Sequence, residues 1–115
     1  MEILTKDNVA TWDLGGTVVV IEVQHLHQAL FDKDNNVVVA LSGQIKKPML
    51  ITIFSVEGNE ICQISEPKDC YFNYIGKNRG HDVAVMGTVY MSGWLDWWFS
   101  INIQSGSLES LGEGR

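Results

Sequence analysis

The stretch Trp94–Ile103, "WLDWWFSINI", reads as a β-strand. Its odd positions, Leu95, Trp97, Phe99, Ile101 and Ile103, are all apolar. Its even positions, Trp94, Asp96, Trp98, Ser100 and Asn102, form a polar face interrupted by two indoles. A period of two with one apolar side marks a strand that buries one face and wets the other. The pattern assigns Trp97 to the core. It leaves Trp94 and Trp98 two pleats apart around Asp96, a spacing that suits stacking on a sugar ring or anchoring a protein partner.

Six further runs share this chemistry: Thr17–Phe31, Asn36–Ile45, Met49–Glu57, Glu60–Ser65, Cys70–Ile75 and Asp82–Met91. Valine, isoleucine, threonine and aromatic residues fill them, which suits a pleated surface. Turn chemistry separates them: "DKDNN", "EGNE" with Gly58-Asn59, "EPKD" with Pro67, "GKNRGH", and "MSGW" with Ser92-Gly93. Links this short join antiparallel neighbours, since a parallel crossover needs about a dozen residues. The expected fold is all-β, a single-domain antiparallel meander of about seven strands closed as a barrel or folded as a sandwich.

The first run is too long for one flat strand, which predicts a bend or bulge between Glu22 and His25. Ahead of it, "TKDNVATWDLGG" predicts a short helix, capped by Thr5 or Asp7 and ended at Gly15, with Val9 and Trp12 plugging one end of the fold. The domain is expected to span 1–104, followed by a polar, mobile tail over 105–115. Alternate turns of a meander fall at one end. "DKDNN", "EGNE" and "GKNRGH" therefore share an end of mixed charge with an acidic bias.

The 115 residues suffice for one domain with a core of its own; 45% are hydrophobic and 19% charged, a globular balance. The net charge of −6 argues against nucleic acid, whose phosphates it repels, and no basic cluster favours an anionic membrane surface. It suits a basic protein surface instead. The opening "MEILTKDNVATWDL" lacks a basic segment followed by an apolar run, so the expected location is the cytoplasm. Cys62 and Cys70 flank the Glu66-Pro67 turn. They read as two free thiols unless a hairpin register sets them opposite each other.

Signatures of catalysis are absent: there is no Gly-x-Ser-x-Gly, no P-loop and no dinucleotide fingerprint. "DKDNN" opens like a calcium loop, but Val37 stands where a glycine is required and Gly43 where a glutamate is required, so a turn explains it better. The one arrangement with metal-ligand spacing is His25-Leu26-His27. Imidazoles at i and i+2 of a strand share a face, and His81 in another apolar register could complete a divalent-metal site.

These features give three readings. The first is a non-enzymatic acidic binding module, of inhibitor or immunity-protein type by size and charge alone. It would engage a protein partner through Trp94, Asp96 and Trp98, with Asp32, Asp34, Glu57 and Glu60 supplying charge. The second is a metal-binding barrel, or a metal-dependent enzyme, built on His25, His27 and His81. The third is a barrel holding a small apolar ligand. The first needs no cofactor.

Overall fold

A computed structural model of the protein describes residues 1–44, 49–90 and 93–114. The chain is all-β and antiparallel, in three sheets. The first sheet holds β1 (Leu4–Lys6), β2 (Val9–Leu14) and β3 (Thr17–Glu22), in the order β1-β2-β3. The second holds β4 (Leu26–Asp32), β5 (Val37–Ser42), β6 (Leu50–Ser55) and β7 (Glu60–Ser65), in chain order. The third holds β8 (Cys70–Asn78), β9 (His81–Val89), β10 (Leu95–Asn102) and β11 (Ser107–Glu113), also in chain order. Among the described residues no helix is long and apolar enough to cross a membrane.

The second sheet lies between the other two. In β5, "VVVALS", every residue is buried. Val37, Val39 and Leu41 pack with Ile51, Ile53 and Ile64 against Phe72, Ile75, Val83, Val85 and Ile101 of the third sheet. Val38 and Ala40, with Ala29 and Phe54, pack against Ala10, Trp12, Val19 and Ile21 of the first. A run without alternation is what a strand covered on both faces requires. The first sheet is also pinned by Trp12, whose Nε1 donates to the Val56 carbonyl at 2.8 Å.

Several expectations need correction. The strands number eleven among the described residues, not seven, and no closed barrel forms. The expected N-terminal helix is a pair of hairpins. Ala10 and Trp12 alternate inward as strand residues, and Gly15 and Gly16 both take positive φ, so they make a hairpin turn rather than a helix end. The Asp13 carboxylate accepts the Gly16 N–H at 2.8 Å and holds that turn. The bend expected between Glu22 and His25 is a complete break, where His25 takes φ 56° and the chain passes from the first sheet to the second. The chain changes sheets again at the Glu66–Asp69 turn. Cys62 and Cys70 therefore stand in different sheets, and both are free thiols. The tail expected to be mobile is mostly β11, paired to β10 from Asn102↔Ser107 to Trp97↔Glu113. Lys46, Lys47 and the Ser92 turn position lie outside the described residues.

Gln28 joins the edges of the second and third sheets. Its Oε1 accepts the Ile75 N–H at 2.7 Å, and its Nε2 donates to the Ile75 carbonyl at 3.1 Å. One side chain thus satisfies both backbone groups of an edge residue, next to the bulges of β8.

Candidate functional site

The outer face of the third sheet has a sealed half and an open half. In the sealed half, Tyr74, Met86, Trp98 and Gly112 lie in one row across β8, β9, β10 and β11. A bulge between Trp98 and Phe99 inserts an extra residue, Leu111, into β11 and turns its end over the sheet. Gly114 then lies against the Trp98 indole. A Cβ at Gly114 would stand 3.0 Å from Trp98 Cδ1, which is why a glycine fits there. Its N–H donates to the Asp96 carbonyl at 2.8 Å. Arg79, from the β8–β9 turn, donates to the Leu111 and Glu113 carbonyls and holds the same segment. Tyr74 meets Trp98 edge-on at 5.7 Å.

Trp98 is therefore only 5% exposed, and its Nε1 has no hydrogen-bond partner among the described residues. The expectation that Trp98 is a surface anchor is corrected: the C-terminal segment covers it. Trp97, assigned to the core, is half-buried. It lines a cleft with Leu95, Phe99, Val89 and Cys70, and its Nε1 donates to Ser110 Oγ at 2.6 Å.

The open half carries three aromatic rings. Trp94 is 66% exposed, follows Gly93, and takes φ 64°, a left-handed conformation disfavoured for so large a side chain. Its ring stacks with Tyr71 at a centroid distance of 6.3 Å and lies 5.8 Å from Tyr90; Tyr71 and Tyr90 are 4.8 Å apart. The Tyr90 N–H donates to the Asp69 carbonyl at 3.0 Å, tying this end of β9 to the turn before β8. Desolvation pushes the Tyr90 phenol above its ordinary pKa, with the Asp69 carboxylate the next cause and Tyr71 and Glu66 adding to it. The Asp69 and Glu66 carboxylates thus lie within electrostatic reach of the Tyr90 phenol.

Beside them runs a polar chain. Asn73 Nδ2 donates to Thr88 Oγ1 at 2.7 Å, and Thr88 Oγ1 donates to Asp96 Oδ1 at 3.2 Å. This fixes the Asp96 carboxylate on the exposed face and leaves Oδ2 without a partner among the described hydrogen bonds.

The other expected site residues lie elsewhere. The Lys33 N–H donates to Asp82 Oδ2 at 2.6 Å, which places the β4–β5 turn beside the start of β9. Trp94 lies past the far end of β9, about 26 Å away at 3.3 Å per residue. Asp32, Asp34, Glu57 and Glu60 therefore do not border the aromatic rings. Asp32 is 2% exposed and accepts Asn35 N–H at 3.2 Å and Asn35 Nδ2 at 2.9 Å, so it holds a turn. Asp34, His81, Asp82 and Glu109 line a cleft of about 370 Å³ at that end.

The histidines do not converge. His25 and His27 are exposed at the start of β4, where His27 Nε2 lies 2.7 Å from the Gly43 carbonyl and His25 Nε2 lies 2.9 Å from Gln44 Nε2. His81 shares its cleft with Asp32, at the other end of β4, about 17 Å away at 3.3 Å per residue. Among the described residues no three His, Cys, Asp or Glu side chains cluster closely enough to hold a metal ion.

Tyr71 and Tyr90 are the site residues that sequence reasoning missed. Tyr71 sits between the apolar Cys70 and Phe72, so the alternation of its own run already put it on the wetter face with Asn73. No family model, curated protein or solved structure matches the chain.

Proposed function

We propose that the protein is a non-enzymatic binding module that grips a basic side chain of a protein partner on the Tyr71/Tyr90/Trp94 platform. The observation that carries this is Trp94, held in a left-handed conformation with most of its indole in solvent. Strain of that kind, kept at a side chain that stays mostly exposed, points to use rather than packing. An arginine or lysine head over these rings gains a cation–π attraction, and Asp96 and Asp69 complement its charge. The net charge of −6 steers such a partner inward. The single-domain, cytoplasmic reading of the sequence belongs to the same proposal. The dispersed histidines and the unclosed sheets favour neither a metal centre nor an internal apolar ligand.

The test is calorimetric titration with an arginine-rich peptide, using a glutamate-rich peptide of equal length as control. The double variant Tyr71→Ala/Trp94→Ala keeps the net charge unchanged. Loss of two ring contacts should weaken binding about ten-fold, while His25→Ala/His27→Ala binds as the wild type does. Equal binding by the Tyr71→Ala/Trp94→Ala variant would reduce the attraction to charge alone and end the proposal.

A further inference from the structure

We infer that β3 is a self-association edge: two copies of the chain pair β3 to β3, antiparallel, across a two-fold axis. The inference stands on a different sheet from the aromatic platform and does not depend on it.

The hydrogen-bond phase of β3 is fixed. Its register with β2 runs from Val9↔Glu22 to Leu14↔Thr17, and the Val23 N–H donates to the Asn8 carbonyl at 2.8 Å. In an antiparallel pair, bonded and non-bonded positions alternate. Thr17, Val19 and Ile21 therefore bond to β2, while the N–H and C=O groups of Val18, Val20 and Glu22 point away from it. β3 is the edge of its sheet, and these groups have no backbone partner among the described residues.

The side chains agree with this. Val18 is 65% exposed and Val20 61%, both on the outer face of the sheet, and Leu4 stands exposed in the same row as Val20. An edge strand is ordinarily guarded by a lysine, a proline or an inward charge. Thr17–Ile21 has none of these, and the first charge is Glu22.

A second copy fits this edge better than an unrelated strand because β3 is its own complement. Residues with free backbone groups must face one another across the new ladder. One two-fold register sets Val18 against the partner's Val20 and Val20 against the partner's Val18, with Val19 on the axis. Glu22 then falls opposite the partner's Gly16, beyond the valines. Shifting by one step in either direction leaves a single valine pair, Val20 on the partner's Val20 or Val18 on the partner's Val18, and sets the other valine against Glu22 or Gly16. Closed two-fold pairing also removes the exposed edge from both copies. The strand is short, so the contact is smaller than a standard interface of about 1,600 Å² and the dimer is concentration-dependent. Two copies of charge −6 repel, so added salt strengthens it.

Sedimentation velocity on the full chain from about 10 μM to about 1 mM, at low and high salt, gives the first readout. Amide exchange by NMR gives the second. Expected is a monomer–dimer equilibrium shifted toward dimer by salt. The Val18 and Val20 amides should become protected as concentration rises, whereas those of Val19 and Ile21 are protected throughout. Val20→Lys, at an exposed site, should stay folded by circular dichroism and remain monomeric; if it does not fold, Val18→Lys serves the same purpose. A wild type that is monomeric at about 1 mM overturns the inference. So does a dimer in which Val18 and Val20 exchange freely, or a folded lysine variant that still dimerises.

Discussion

Replacing Trp12 by Phe tests whether the first sheet is docked as described. The indole is buried among Ala10, Val19, Ile21, Val38 and Phe54, and its Nε1 donates to the Val56 carbonyl at 2.8 Å. The phenyl ring cannot donate. The carbonyl of buried Val56 is left without its donor, which costs about 1–3 kcal/mol. The smaller ring also leaves roughly 40 Å³ unfilled, which adds about 1 kcal/mol at ~24 cal/mol per Å³. The sum is about 2–4 kcal/mol, a large share of the ~5–15 kcal/mol that holds a domain together. Urea unfolding followed by far-ultraviolet circular dichroism reads this as a lower midpoint at unchanged slope. Amide exchange should show the loss most strongly in β1–β3, because the Phe72/Val85/Ile51 core lies on the other side of the second sheet. A cost below about 0.5 kcal/mol would mean that Trp12 does not dock this sheet.

Gly87→Ala places a Cβ 2.7 Å from Cys70 Sγ and 2.9 Å from the Tyr71 carbonyl oxygen. The backbone contact cannot yield cheaply, so unfolding experiments should show a loss of about 1–3 kcal/mol. Asp32→Ala removes the carboxylate that accepts both N–H groups of Asn35 in an exposed turn, where water can replace it, so the same measurement should show a loss of about 0.5–1.5 kcal/mol. Tyr71→Ala/Trp94→Ala, on exposed rings, should stay within about 0.5 kcal/mol of wild type. Burial first, and then Glu66, pushes the Cys70 thiol up to about 11 from its ordinary 9.0. The unfolded thiol ionises first, so the stability tied to this group is whole below about pH 9 and is lost as pH rises through about 11. Alkylation of native protein at pH 8 should accordingly modify Cys70 far more slowly than in urea, as followed by mass spectrometry.

The strands were legible because alternation and turn residues are local signals. Glu60–Ser65 is an element in both readings with the same bounds, whereas the burial of "VVVALS" on two faces emerged only from the structure. The order of layers was not legible. "VATWDLGG" carries a glycine pair that ends a helix as readily as it turns a hairpin, and the choice depends on whether Trp12 finds a sheet to pack against. Thr17–Phe31 showed where the chain bends, but a bend and a change of sheet look alike in sequence. Alternation separated Trp97 from Trp94 and Trp98, yet it could not say what covers each face. Trp98 is sealed by Gly114, which reaches it only through the bulge at Leu111, and Trp97 lines a cleft that leaves it half-buried. The acidic turns were correctly grouped at one end. Trp94 stands at the other, and its partners Tyr71 and Tyr90 come from strands whose adjacency only the register fixes.

The open half of the third sheet's outer face is the proposed binding surface. The most direct measurement is the indole N–H spectrum of the protein's four tryptophans during titration with the arginine-rich peptide. The Trp94 signal should move furthest, together with the ring protons of Tyr71 and Tyr90. Those of Trp12, under the first sheet, and Trp98, under Gly114, should hold still. Shifts centred instead on His81, Asp34 and Glu109, with Trp94 unmoved, would contradict it.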